Sequence, residues 1–118
     1  MVWEVIFNQA VLEWIASLEE SDEVRLNEAL EVLRRVGPVL GRPLVDRVKG
    51  SGLQNLKELR PLGTNLRCLF VFDLERRAVI LVGGDKSGRW REWYRENVPL
   101  AELRFTEHQR RARSKERE

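Results

Sequence analysis

Cations and aromatic side chains are concentrated in residues 55–94, in a pattern that could hold RNA. Trp90 and Tyr94 follow the strands at helical spacing. The cations that lie within or at the ends of three predicted strands are Lys57, Arg60, Arg67 and Lys86. Fixed cations can bind phosphates, and aromatic rings beside them can stack on bases. The rest of the chain must support this surface.

The elements that carry these residues are predicted from apolar alternation and turn residues. The predicted strands span 56–60, 66–73 and 78–82. A turn at 61–65 and a charged connection at 74–77 separate them, and short connections favour antiparallel pairing. Residues 83–88 read as a loop and 90–97 as a helix, with Pro99 beginning another.

The first half of the chain predicts a strand and two helices. Residues 3–7 suit a short strand. Asn8 is a plausible cap for a first helix and Ser21 for a second, which Gly37 and Pro38 end. Residues 39–54 look irregular. The order of strand, two helices, three strands and helix predicts an α+β fold, with two short antiparallel helices behind a sheet.

Length and composition limit the class of protein. The 118 residues predict one domain, in which about 107–118 form a charged, solvated or frayed tail. No apolar run approaches a membrane span and no secretory signal is evident. With only Cys68 and His108 we expect no internal disulfide, no metal site and no cofactor. The expected location is the cytoplasm.

Charge is segregated along the chain. Residues 1–31 contain eight acids and one base, which is a net charge of −7. The net charge of the whole chain is +2, so the other 87 residues together carry +9. Such segregation favours a polyanionic partner for the later part. The alternative is a pair of solvated acidic helices plus a basic tail.

Several motifs in this order resemble the RelE/HigB group of bacterial toxins in the RelE/ParE superfamily. These motifs are GRPLV at 41–45, NLKELR at 55–60, NLRCLFVF at 65–72, VGGDK at 82–86 and WYREN at 93–97. Together with the opening strand and helices, the resemblance covers roughly residues 2–108. The likeness is stronger to HigB-type and phage-derived members than to the best-known RelE pattern, whose lysines correspond here to Leu56 and Glu58.

The resemblance implies a small antiparallel sheet packed on two N-terminal helices, with one or more C-terminal helices. It also implies a toxin held inactive by an antitoxin, for which a helix-turn-helix protein and a toxin–antitoxin heterotetramer are expected. RelE- and HigB-like members cleave mRNA on the ribosome, whereas ParE-like members poison DNA gyrase. The first activity is our expectation, and a non-catalytic toxin or binding module is the alternative.

Cutting RNA through its own 2′-hydroxyl needs a proton acceptor, charge stabilisation on the phosphorane and a donor for the leaving 5′ oxygen. Cations can provide the stabilisation without a metal. His108 cannot form a histidine pair, and in the family lysine, arginine and tyrosine do this work.

Three residues match the family's catalytic positions. Arg67 is expected to stabilise the phosphate, unless it merely pairs with Asp85 or Glu58. Lys86 is expected to stabilise or protonate the leaving group, although it could be a solvated loop lysine. Tyr94 is expected to stack on a base or help activate the hydroxyl, unless it is buried in the core.

The predicted RNA-binding residues surround these three. They are Lys49, Lys57, Arg60, Trp90 and Arg91. Alternation allows at most one of Lys57 and Arg60 to face the same groove, and Lys49 could replace Lys57 from the preceding loop. Trp90 and Trp93 are tryptophans of the kind more often found in a core than on a stacking surface. The tail cations up to Arg117 would add salt-dependent affinity at most.

Overall fold

The computed structural model describes residues 2–116 of the chain. Arg117, which belongs to the predicted basic tail, lies outside the described residues. The elements are β1 Glu4–Phe7, α1 Gln9–Ala16, α2 Glu20–Val36, β2 Val45–Arg47, β3 Lys57–Leu59, β4 Leu66–Phe72, β5 Arg77–Asp85 and α3 Trp90–Glu116. Within residues 2–116, no helix combines the length and apolar character needed to cross a bilayer.

The five strands form one sheet in the order β1-β5-β4-β3-β2. The pairs from β2 to β5 are antiparallel, as the short connections predict for β3, β4 and β5, whereas β2 lies in the segment 39–54, whose sequence predicts irregular structure. At the edge, β1 pairs with β5 in parallel, so the sheet is mixed rather than wholly antiparallel. The predicted α+β fold is confirmed, and the pair of strands at one edge is parallel rather than antiparallel.

The helices cover both faces of the sheet. One core packs α1 and α2 against the face that carries Cys68, Phe70 and Ile80. A second core packs α3 against the face that carries Leu69, Val71 and Leu81. Strand alternation produces the two apolar faces, because successive side chains point to opposite sides.

Helix ends follow local chemistry, with two departures from prediction. The Asn8 side chain accepts a hydrogen bond from the Ala10 amide at 2.9 Å, as expected of a cap. Gly37 ends α2 with φ at 73°, also as expected. The predicted Ser21 cap is wrong, because α2 begins at Glu20 and places Ser21 inside its first turn. Pro99 begins no new helix and instead lies inside the continuous α3.

The second half of α3 is fixed to the β4–β5 hairpin through Asp73. Its carboxylate accepts hydrogen bonds from the Arg77 side chain at 2.9 Å and the Arg77 amide at 3.0 Å. His108 Nε2 lies 3.3 Å from the same carboxylate. Burial alone would raise the pKa of Asp73, but these hydrogen bonds outweigh it and hold that pKa below its ordinary value.

We expect Asp73→Asn to lower the free energy of unfolding by about 1–3 kcal/mol at neutral pH, because the part-buried donors Arg77 and His108 lose a charged acceptor. A depressed folded-state pKa stabilises the protein above the unfolded pKa, and that stability is lost as pH falls through the folded pKa. The difference between the two proteins should therefore shrink below the ordinary aspartate range. Urea denaturation of both proteins across pH measures it.

The control for this prediction is Glu28→Gln, which removes an exposed ion pair to Arg25 at 3.5 Å. Such pairs contribute little, so the control should stay within about 1 kcal/mol of wild type. If Asp73→Asn behaves like this control, the assigned anchoring of α3 is wrong.

Candidate functional site

Arg67 lies in β4 on the sheet face that α3 covers, opposite the face of Cys68 and Phe70, as alternation predicts. It is only 8% exposed. Its Nη1 donates to the Leu66 carbonyl at 2.7 Å, and its buried Nε has no hydrogen-bond partner within the described residues. In that part of the chain no carboxylate lies within ion-pair distance of Arg67, so the predicted alternative of pairing with Asp85 or Glu58 is not realised as an ion pair.

Lys86 follows β5 at the same end of the sheet. Its amide donates to the Asn65 carbonyl at 3.1 Å, which ties this position to the start of β4. Its Nζ lies 5.9 Å from the centre of the Tyr94 ring. Burial and the nearby Arg67 lower the pKa of Lys86, and Glu58 opposes them. Lys86 is therefore a half-buried ammonium within a cationic group, and not a freely solvated loop lysine.

Tyr94 in the second turn of α3 completes this group. Its hydroxyl donates to Glu58 Oε2 at 2.5 Å, and its ring meets Trp93 edge-on with centroids 5.2 Å apart. Burial, followed by the carboxylate of Glu58, raises the pKa of Tyr94 to about 12, although Arg67 acts in the opposite direction. The side chain is half-buried, so it is neither sealed in the core nor free on the surface.

Two acidic residues on neighbouring strands complete the surroundings. Arg60 Nε lies 3.6 Å from Glu58 Oε1, and Arg60 Nη1 lies 3.8 Å from Asp46. We call Glu58, Arg60, Arg67, Lys86 and Tyr94 the cationic site. A shallow pocket of about 260 Å³ opens beside it, with Arg60 and Arg67 in its wall.

A pair of glycines in β5 lets two tryptophans lie against the strand. A Cβ on Gly84 would stand 2.5 Å from Trp93 Nε1, and one on Gly83 would stand 2.3 Å from Trp14 Cε3. Gly84 is the register partner of Arg67, so Trp93 lies over the strand next to it. This close approach fixes the first turns of α3, and with them Tyr94, against the sheet.

The remaining predicted RNA-binding residues are dispersed. Lys57 lies on the other face of the sheet, where its Nζ donates to the Pro38 carbonyl at 3.0 Å and lies 5.5 Å from the Phe72 ring. It therefore does not join the cationic site, and Arg60 is the one of the two that does. Lys49 is exposed in the loop after β2, next to a segment that Glu102 of α3 binds through Ser51 and Gly52.

Trp90 and Arg91 form an exposed pair at the start of α3. Trp90 is 55% exposed, and the Arg91 guanidinium lies 5.2 Å from its ring centre. The expectation of a core position is wrong for Trp90 and confirmed for Trp93, which is 7% exposed. An exposed indole with a guanidinium over it is a surface on which a base could stack.

Glu58 makes contacts in the site that the sequence did not predict. It appeared only as a partner for Arg67, whereas its carboxylate contacts Tyr94 and Arg60. The signal was present, because Glu58 and Arg60 are two residues apart on a strand and so share a face. Its link to Tyr94 depends on how α3 docks, which strand alternation does not show.

Comparison with known sequences identifies the family. The family described as "Phage derived protein Gp49-like (DUF891)" matches residues 13–106. The chain is 45% identical over 100 residues to "Putative toxin HigB3" of Mycobacterium tuberculosis, which covers 85% of this chain and 88% of that protein. It is 44% identical over 98 residues to "Putative toxin HigB2" of the same organism, covering 80% of this chain but only 49% of that protein.

Solved structures share the fold. The RelE–RelB complex from Pyrococcus horikoshii OT3 gives a TM-score of 0.60 at 20% identity, covering 75% of this chain and 99% of that chain. A mutant of the E. coli toxin RelE in the free state gives 0.58 at 12% identity, covering 76% and 90%. The chain therefore belongs to the phage-derived Gp49-like family. The RelE/HigB-like toxin assignment made from its motifs is confirmed.

Proposed function

We propose that this chain is the toxin of a type II toxin–antitoxin system and cleaves translated mRNA at the ribosome. The observation that carries the proposal is the convergence of Arg67, Lys86 and Tyr94 around one carboxylate at one end of the sheet. The toxin names of relatives at 45% and 44% identity support the toxin role. A pure binding module would have no need to bury a guanidinium whose Nε has no hydrogen-bond partner within the described residues, because such burial is costly.

Each group has a defined task in this mechanism. Arg67 has an unpartnered Nε and a planar fork that can grip two oxygens of the phosphorane as negative charge builds. Lys86 has a lowered pKa, which makes it a readier proton donor to the leaving 5′ oxygen. Charge stabilisation comes from these cations, so the reaction requires no metal.

Tyr94 is assigned a positioning and stacking task. The pKa of Tyr94 is raised to about 12 and its hydroxyl hydrogen is engaged in a hydrogen bond to Glu58, so this hydroxyl is a poor acceptor for another proton. Its partly exposed ring has the Lys86 ammonium 5.9 Å from its centre and meets Trp93 edge-on, and it can contact a base. Exposed Trp90 and Arg91 extend the same surface along α3.

The proposed partner is an antitoxin of the helix-turn-helix type, encoded beside the toxin and joined with it in a heterotetramer. One structural relative is a RelE–RelB complex, which supports an antitoxin as the protein partner. An acidic segment would complement the cationic site. Co-expression with the adjacent reading frame, followed by mass measurement of the purified complex, tests the partner and the stoichiometry.

We expect expression without antitoxin to stop translation and leave cut mRNA, and Lys86→Ala to restore growth. Lys86→Arg should cut more slowly than wild type, because arginine keeps the charge but does not readily release a proton. Mapping of mRNA ends in cells that express each variant measures this. Intact mRNA together with inhibited gyrase supercoiling by the purified wild-type protein would instead indicate a gyrase poison.

A further inference from the structure

The cationic site contains the carboxylate of Glu58, whereas charge stabilisation by Arg67 and proton donation by Lys86 involve only cations. Glu58 is 8% exposed in the middle of β3, between Asp46 of β2 and Leu69 of β4. Its Oε2 accepts the Tyr94 hydroxyl at 2.5 Å. Within the described residues its Oε1 accepts no hydrogen bond, since Arg60 Nε lies 3.6 Å away. One carboxylate oxygen is thus held by a donor while the other remains able to accept a proton.

We propose that Glu58 is the proton acceptor for the RNA 2′-hydroxyl, held in position by Tyr94. This inference rests on the proposed nuclease function. The 2′-hydroxyl proton moves to Oε1 of Glu58 as the 2′ oxygen forms a bond to phosphorus. The bond from phosphorus to the 5′ oxygen breaks, and that oxygen takes a proton from the Lys86 ammonium. The products are a 2′,3′-cyclic phosphate and a 5′-hydroxyl, and proton exchange with water restores both side chains.

Other groups are less suited to accept this proton. Tyr94 donates to Glu58 and its pKa is raised to about 12. His108 contacts Asp73 at the hairpin end of β4, whereas Arg67 lies at the opposite end of that strand. The length of the strand separates these ends by about 20 Å. Asp85 accepts from the Ser87 amide at 2.8 Å in the loop that precedes α3.

Charged and titratable side chains from each neighbouring element face Glu58. The groups that face it are Asp46 of β2, Arg60 at the end of β3, Arg67 of β4, Lys86 after β5 and Tyr94 of α3. Three of these five are cations, so the carboxylate lies among positively charged side chains. The same cations can bind the phosphate that adjoins a 2′-hydroxyl placed at Oε1.

The test compares Glu58→Gln with wild type in single-turnover cleavage of ribosome-bound mRNA across pH. The amide can still accept from Tyr94 but cannot take up the proton. We expect cleavage to fall by about 10²–10⁴-fold. The cleavage rate of the wild-type protein should decline at acidic pH, because a protonated carboxylate cannot accept the 2′-hydroxyl proton. The residual cleavage rate of Glu58→Gln should show no such decline. The matched control is Glu96→Gln, an exposed glutamate of α3 that pairs with Arg89 and should cut like wild type.

A second measurement is independent of cleavage. Tyr94 is the only tyrosine in the chain, so tyrosinate absorbance reports its ionisation alone. Loss of the neighbouring negative charge in Glu58→Gln should lower the pKa of Tyr94 from about 12 toward its ordinary value of about 10. The same Tyr94 pKa in both proteins would overturn the contact on which the proposal rests.

The outcomes separate the two proposals. If wild type cuts mRNA and Glu58→Gln cuts equally well, or cuts slowly with the acid decline intact, the base assignment is overturned while the nuclease remains. If wild type leaves ribosome-bound mRNA intact, both are overturned. Loss of cleavage together with loss of the acid decline supports Glu58 as the base.

Discussion

Arg67→Ala is expected to reduce the rate of mRNA cleavage by about 10²–10³-fold, the usual loss when one preorganised stabiliser of transition-state charge is removed. The guanidinium is 8% exposed, and its Nε has no partner in the described part of the chain. It is therefore already positioned and desolvated before RNA arrives. Single-turnover cleavage of ribosome-bound mRNA measures the change, and circular dichroism of the same samples verifies that the variant is folded.

Two further variants sharpen this prediction. Arg67→Lys keeps one positive charge but loses the planar fork, so its cleavage rate should lie between those of wild type and Arg67→Ala. Arg35→Ala removes the same charge from α2, where the side chain is exposed and pairs only loosely with Glu31 at 3.9 Å. It should cut like wild type. Equal losses in Arg67→Ala and Arg35→Ala would mean that net charge, not a placed guanidinium, drives cleavage.

The sheet segment was predictable because its information is local. In β4, alternation places Arg67 and Cys68 on opposite faces, and the structure has them there. Short connections gave the antiparallel pairs of β3, β4 and β5. What these patterns could not show is the partner of β1, because its parallel pairing with β5 joins residues more than seventy positions apart.

The short strand β2 and the long α3 were missed for different reasons. Val45–Arg47 has only three residues among turn formers, and its pairing with β3 gives it order that its own sequence does not predict. Pro99 reads as a helix start because it lacks an amide hydrogen. Within α3, Pro99 leaves only the Arg95 carbonyl without its helical hydrogen bond. Arg95 is exposed, so water can donate to this carbonyl, and the helix continues past Pro99.

The candidate site was predictable as a set of residue types but not as a set of contacts. Sequence indicated Arg67, Lys86 and Tyr94, and their proximity depends on where α3 docks. That docking depends on Gly84, which admits the Trp93 ring beside Arg67. The inclusion of Glu58 depends on the same docking, because its contact to Tyr94 bridges β3 and α3.

Gly84→Ala is expected to disable the site without touching any of its charged groups. The new methyl would stand 2.5 Å from Trp93 Nε1, and Trp93 is buried, so the ring must move and shift the start of α3. Such overpacking costs about 1–3 kcal/mol in unfolding free energy. Tyr94 adjoins Trp93, and a misplacement of about 1 Å can cost 10²-fold in rate. We therefore expect cleavage to fall by about 10–10²-fold and the pKa of Tyr94 to drop from about 12.

Gly83→Ala is the matched control, because its methyl would stand 2.3 Å from Trp14 Cε3 on the opposite face of the same strand. Urea denaturation should show a comparable loss of stability in the two variants. At a temperature where both remain folded, Gly83→Ala should still cut mRNA and keep the wild-type Tyr94 titration. If the two variants lose cleavage in parallel, the loss follows general destabilisation. The close packing of Trp93 on Gly84 would then have no particular part in aligning Tyr94 with Glu58 and Lys86.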